Sequence, residues 1–132
     1  MTVRDCAPET FIACVVRGTK ETGWTVLDDG GHAPYGVAGV DVLADRVRVR
    51  YSCPQAQLAA VQATADETYA RAGIAVGVSG ALTHADLFFG RSCAPLAPAA
   101  ALLPGSNVWL TGTGWTTPLE PAITELPKEA RA

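Results

Sequence analysis

Charged residues are scarce in this sequence. They make up 17% of its 132 residues, against about 25% in an average soluble domain, and the net charge is only −3. Proteins that bind nucleic acid carry a basic patch or stripe, so we expect no nucleic-acid partner. The shortage of charge also predicts that part of the surface faces protein rather than water.

Side chains that carry catalysis or bind metals are few as well. The chain has two histidines, His32 and His84, and its four cysteines form no C-x-x-C pair, the spacing that many zinc sites use. No nucleophile stands in a recognisable motif. We therefore predict no catalytic residue, no metal site and no cofactor, and we expect that the protein is not an enzyme.

No apolar run approaches the roughly 18 residues that a membrane-spanning helix needs. The N-terminus, MTVRDCAPET, does not have the layout of a signal peptide, a basic stretch followed by an apolar one. We expect synthesis in the cytoplasm and no membrane partner. The redox state of the cysteines stays open between disulfides and buried thiols; they are Cys6, Cys14, Cys53 and Cys93.

Short strand-like runs with frequent turns make up most of the chain. The clearest is RVRVRYS (46–52), where arginines alternate with Val47, Val49 and Tyr51, so that one face is buried and the other is wet. The arginines would solvate the outer face and pair with acids across it. Similar runs bounded by turn residues lie at 11–17, 23–28, 36–43, 57–65, 73–80, 84–90 and 106–112.

Two segments carry mixed signals. In QLAAVQATA (57–65) the alanines favour a helix and the alternation favours a strand; we predict a strand. The segment ADETYARAG (65–73) predicts one or two helical turns, with Asp66 as a cap and Gly73 as a stop. Residues 94–105 are rich in proline and alanine and predict a connecting crossover.

These patterns predict an all-β fold. It is an antiparallel β-sandwich or small β-barrel of about seven to eight strands, with one short helical turn and an extended C-terminal arm. The length suits one domain. We predict an N-terminal arm over residues 1–10, the β domain over 11–115 and an extended tail over 116–132.

The stretch GWTVLDDGGHAP (23–34) places two acids ahead of His32. A metal or acid–base site there would need a third ligand or a nucleophile, and the sequence offers neither. Asp-Gly and Gly-Gly steps favour the positive φ of turns, and aspartate can hydrogen-bond the turn backbone. We predict a structural turn at Asp28, Asp29, Gly30 and Gly31.

Two motifs that suggest enzymes are incomplete. GVSGA (77–81) does not have the last glycine of a nucleophile elbow. GTGWTT (112–117) has a threonine where a dinucleotide-binding loop needs its third glycine, and no helix follows it. We assign no catalytic or cofactor-binding role to either motif.

Aromatic residues admit a binding role. Exposed aromatic rings on a β-sandwich can stack on sugars, so a carbohydrate-binding module would place Trp24, Tyr35 or Trp109 in an exposed row; otherwise Trp24 and Trp109 are core or interface anchors. Trp115, just outside the last predicted strand, is a candidate subunit contact. The proline-rich tail would dock on a neighbouring subunit, with candidate interface residues Leu119, Ile123 and Leu126.

The run GWTVLDDGGHAPYGVAGVDV, followed by RVRVRY and DETYARAGIAVGVSGAL, resembles small β-rich structural proteins of tailed bacteriophages with high-GC hosts. The resemblance covers roughly residues 11–115 and carries over no catalytic residue. It implies a head decoration, head-fibre or tail accessory protein.

From this resemblance we expect a virion structural protein, most specifically a capsid decoration (cement) protein on the exterior of the capsid. Its expected partners are the major capsid protein and copies of itself, in a homotrimer, through symmetric contacts and extended termini. The alternatives are a phage tail or fibre component and a carbohydrate-binding β-sandwich module that binds a glycan on the host surface.

Overall fold

The computed structural model describes residues 7–28, 33–103 and 105–117. These residues form nine strands, one short helix and a 3-10 turn. The strands are β1 (Glu9–Thr19), β2 (Gly23–Val26), β3 (Val37–Val42), β4 (Val47–Tyr51), β5 (Gln57–Ala65), β6 (Ile74–Gly80), β7 (His84–Arg91), β8 (Ala94–Leu96) and β9 (Val108–Trp115); the helix α1 (Glu67–Arg71) precedes β6, and the 3-10 turn (Pro98–Ala100) follows β8.

The strands lie in two antiparallel sheets that pack face to face. Sheet A has the order β2-β1-β9-β5, and sheet B has the order β3-β4-β7-β6. In sheet B, β8 pairs with the end of β7 that β4 leaves uncovered. The prediction of an all-β antiparallel fold is confirmed, including the strand at 57–65.

Every second side chain of the strands points inward and fills the space between the sheets. Val47, Val49 and Tyr51 of β4 are buried as predicted, and the core also takes side chains from β1, β7 and β9. The ring of Phe11 in sheet A meets that of Tyr51 in sheet B edge to face, with 4.6 Å between centroids. The two inner faces therefore form one apolar core.

Trp24 is a core residue, 6% exposed. Its ring stacks on Phe89 across the sandwich at 4.9 Å between centroids, and its indole N–H donates to the carbonyl of Pro98 at 3.0 Å. Trp24 is therefore not part of an exposed carbohydrate-binding row, and its assignment as a core anchor is confirmed.

The segment 94–105 differs from the prediction, because it contains the short strand β8 instead of a plain crossover. Ser92 and Cys93 both have positive φ, of 53° and 63°, and join β7 to β8 in a tight hairpin. Such turns usually carry Asn-Gly or Gly-Gly. Since Ser92 and Cys93 are not such a pair, no hairpin is predicted there.

The helix α1 has the predicted position. Asp66 stands at the N-cap as predicted, but its side chain makes no capping hydrogen bond; its backbone carbonyl accepts from the Tyr69 N–H at 3.0 Å. Gly73 follows the helix with φ +74° and ends it as predicted. Tyr69 is fully buried and fixes the helix against the core.

Candidate functional site

The outward side of β9 and β5 carries no charged residue. Val108 and Leu110 of β9 are fully buried, so their neighbour Trp109 and every second residue after it point outward. Five of the six side chains on this surface are exposed and the sixth is half-buried. We call it the β9–β5 face; it consists of the cross-strand pairs Trp109–Thr64, Thr111–Gln62 and Thr113–Ala60.

Trp109 is the largest side chain on the β9–β5 face and is 40% exposed. It lies opposite Val15 of β1, which is only 7% exposed although it points to the same side of sheet A. Because residues directly opposite each other lie about 5 Å apart, the indole is placed to cover Val15. A rigid aromatic ring with one side packed and the other open is typical of the residues that dominate protein interfaces.

The strand β5 extends the uncharged surface to the edge of sheet A. Among the described residues it pairs with β9 alone, and its sequence, QLAAVQATA, contains no charge and no proline. Native proteins usually protect edge strands with lysine, proline or bulges. Here the edge strand carries no charge. One register shift, between Leu58 and Ala60, interrupts its pairing, and β6 of sheet B lies beside it, since a Cβ at Gly80 would lie 2.7 Å from the Val61 side chain.

Sheet B carries charges on its outward side. Asp86 of β7 is 5% exposed, and its carboxylate accepts hydrogen bonds from Arg48 Nε at 2.8 Å and from Arg46 Nη1 at 3.1 Å. The Arg46 guanidinium also lies 4.6 Å from the centroid of the Phe88 ring. We call Asp86, Arg46 and Arg48 the Asp86 cluster.

A second pair on sheet B joins Arg50 Nε to Asp41 at 2.8 Å, with both side chains about half exposed. The prediction that the arginines of β4 pair with acids across the outer face is confirmed. Each guanidinium on this face therefore has a carboxylate partner on sheet B or in the adjoining turn.

Burial opposes ionisation of Asp86, but the hydrogen bonds from Arg48 and Arg46 outweigh it and hold the pKa of Asp86 below its ordinary value. His84 Nε2 lies 3.8 Å from the same carboxylate. Because both carboxylate oxygens already accept from guanidinium groups, we interpret the Asp86 cluster as a structural network.

A cavity of about 570 Å³ opens at one end of the sandwich, where β1 begins and β9 ends. We call it the end pocket. Its lining combines aromatic rings with polar groups and includes Glu9, Phe11, Tyr35, Gln55, Gly114 and Trp115.

The structure describes two of the predicted turn and subunit-interface residues, Trp115 and Asp28. Trp115 is half-buried, pairs with Gln57 as the last residue of β9 and lines the end pocket; its predicted place outside the last strand is therefore wrong. Asp28 is exposed after β2, where the chain crosses from sheet A to sheet B. The other predicted turn and interface residues lie outside the described residues: Asp29, Gly30, Gly31, Leu119, Ile123 and Leu126.

The described cysteines are free thiols in different surroundings. Cys14 lies in the core of sheet A, and burial raises the pKa of its thiol to about 12, so this thiol stays protonated and unreactive. Cys53 and Cys93 are exposed. Cys6 lies outside the described residues.

Within residues 7–28, 33–103 and 105–117, no cluster of three or more His, Cys, Asp or Glu side chains has the arrangement of a metal site. In the same part of the chain, no helix has the length and apolarity to cross a membrane.

The fold is thus a two-sheet antiparallel β-sandwich with one uncharged face, one ion-paired face and an end pocket. No family model, no curated protein and no solved structure matches the chain. We therefore infer the function from the surfaces of the molecule.

Trp109 could have been identified from the sequence as a surface residue, whereas the burial of Gln55 could not. The outward position of Trp109 follows from the apolar neighbours Val108 and Leu110, so the alternation in SNVWLTG could have identified it. Gln55, which lines the end pocket, follows a proline in a connecting segment. No periodic pattern marks such a residue as buried.

Proposed function

We propose that this protein works by association, as a structural protein of a bacteriophage particle. The observation that carries the proposal is the β9–β5 face, an uncharged surface with a half-exposed tryptophan that continues onto an uncharged edge strand. A partner that covers this face does not have to remove a charged side chain from water. Dehydration of charged groups is the costly step in covering a polar surface.

The size of the β9–β5 face favours repeated contacts over a single strong one. Residues 109–113 of β9 span about 17 Å, and two strands are about 10 Å wide, so the face covers about 170 Å². A standard interface buries about 800 Å² on each partner. A face of this size binds weakly alone and gains strength where many copies engage a repeated lattice.

A capsid provides such a lattice, and the resemblance to phage structural proteins supports the same assignment. Within this proposal the protein is a capsid decoration protein on the exterior of the virion. It contacts the major capsid protein and further copies of itself, with a trimer matching a threefold position of the shell.

The first test is the solution mass of the purified full chain by light scattering. We expect a trimer, with about three times the chain mass of 13.7 kDa. The variant Trp109→Lys places a charge in the centre of the β9–β5 face and should give a monomer. The matched control is Val42→Lys, which adds the same charge at an exposed apolar position of sheet B and should leave the trimer intact.

Equal masses for wild type and Trp109→Lys would exclude the β9–β5 face as the self-association surface. A second measurement tests the particle: labelled protein is incubated with tailed-phage virions and imaged. Label on the head supports decoration, label on the tail supports the tail or fibre alternative, and an unlabelled particle contradicts both. Ending the chain at Thr117 should weaken head binding if the tail cements neighbouring subunits.

A further inference from the structure

The end pocket contains a fixed hydrogen-bond acceptor. Gln55 is 4% exposed, its backbone N–H donates to the carbonyl of Leu82 at 2.8 Å, and its Nε2 donates to the carbonyl of Cys53 at 2.8 Å. Its Oε1 is buried and accepts no hydrogen bond within the described part of the chain. Since buried polar atoms are normally paired, this oxygen is suited to a donor brought by a ligand.

Gly114 keeps the space beside this oxygen open. A Cβ at position 114 would lie 3.2 Å from Gln55 Oε1 and 2.6 Å from the carbonyl oxygen of Gln57, so any larger residue would crowd the acceptor. Glu9, at the start of β1, adds a carboxylate to the same lining. Both groups accept hydrogen bonds, and the matching ligand must therefore supply hydroxyl or amide hydrogens.

The remaining lining offers aromatic surface. Tyr35 is 59% exposed, and its backbone N–H and C=O are both bonded to Ala13, at 2.8 and 3.0 Å, so the main chain is held in place at the point from which the exposed ring projects. Phe11 and Trp115 contribute further aromatic surface. Acceptors beside aromatic rings match a ring-shaped ligand with an apolar face and hydroxyl groups at its edge.

We propose that the end pocket is a binding site for a neutral saccharide. The sugar hydroxyls donate to Gln55 Oε1 and to the Glu9 carboxylate. The apolar face of the sugar ring packs against Tyr35, and Trp115 lines the same cavity. This site is separate from the centre of the β9–β5 face, because Trp109 and Trp115 are six residues apart on β9, which corresponds to about 20 Å.

The three tryptophans permit a test that reports on each location. Full-length protein labelled with ¹⁵N is titrated with D-glucose, D-galactose, D-mannose and N-acetyl-D-glucosamine, and the indole N–H signals are followed by NMR. We expect at least one sugar to shift the Trp115 signal saturably with a millimolar Kd, while buried Trp24 and distant Trp109 stay unchanged. Failure of all four sugars, or a saturable shift at Trp109 instead, overturns the proposal.

Variants then assign the site. Gln55→Leu removes the acceptor at nearly constant volume and should weaken binding at least about fivefold. Because this change also removes the bond to Cys53, Tyr35→Ala serves as a second variant: its side chain is exposed and its loss should weaken binding similarly without affecting the fold. Trp109→Ala is the matched control and should bind like wild type. Wild-type affinity in both Gln55→Leu and Tyr35→Ala contradicts the proposal.

This test is independent of the assembly proposal. Trp109→Lys should abolish self-association and leave sugar binding intact, whereas Tyr35→Ala should weaken sugar binding and leave self-association intact. The two proposals therefore succeed or fail separately.

Discussion

On the outward side of sheet A, the β9–β5 face presents threonine, glutamine and alanine around Trp109. On the outward side of sheet B, the Asp86 cluster and the Arg50–Asp41 pair present guanidinium groups beside carboxylates. Both surfaces belong to strands that bury their other side in the same core. They differ in where their polar and apolar groups find partners.

On sheet B the partners are internal. Asp86 accepts hydrogen bonds from two arginines, and the Arg46 guanidinium also lies over Phe88. These charged groups therefore have partners within the sheet and need no other molecule. On sheet A, Trp109 keeps 40% of its surface exposed, and the hydroxyl and amide groups around it can exchange water for a partner at little cost. A binding role is therefore expected of sheet A, and a stabilising role of sheet B.

The largest expected effect is on the stability of sheet B. Asp86→Ala removes hydrogen bonds to two guanidinium groups and should lower the free energy of unfolding by about 2–3 kcal/mol. Asp86→Asn keeps the shape and part of the bonding, and should cost less. Urea denaturation with an unchanged m-value measures both. If Asp86→Ala is as stable as wild type, the cluster does not stabilise the fold.

Acid should weaken the same cluster. The folded-state pKa of Asp86 is lowered, so its contribution to stability is fully present above the unfolded value of about 4 and is lost as the pH falls through the folded-state pKa. Melting temperatures between neutral pH and pH values well below 4 should show wild type and Asp86→Asn converging in acid. A constant difference across that range would contradict the lowered pKa.

The smallest expected effect is at the exposed pair of sheet B. Arg50 and Asp41 are each about half exposed, and an ion pair of that kind contributes about 0.5 kcal/mol or less. Arg50→Ala should therefore unfold at nearly the wild-type urea concentration. A loss as large as that of Asp86→Ala would show that the whole charged face, and not the buried carboxylate, stabilises sheet B.

Much of the fold could be predicted from local patterns. The alternation in RVRVRYS predicted both the strand and the side that is buried, because successive side chains of a strand point to opposite faces. Gly73 marked the end of α1 because glycine takes positive φ without strain. The hairpin at Ser92 and Cys93 was missed because those residues adopt positive φ without the composition that usually signals it.

The candidate sites divide in the same way. The outward position of Trp109 could be predicted from its apolar neighbours Val108 and Leu110. In a strand every second side chain points to the same side, so the direction of each side chain can be read from the residues next to it. Trp24 is buried and Trp109 exposed because one packs against Phe89 of the other sheet and one lies on the outside of its own. The end pocket joins Glu9, Gln55 and Trp115, which are distant in the chain. Their proximity depends on which strands pair and how the sheets stack, and non-local contacts of that kind leave no period in the sequence.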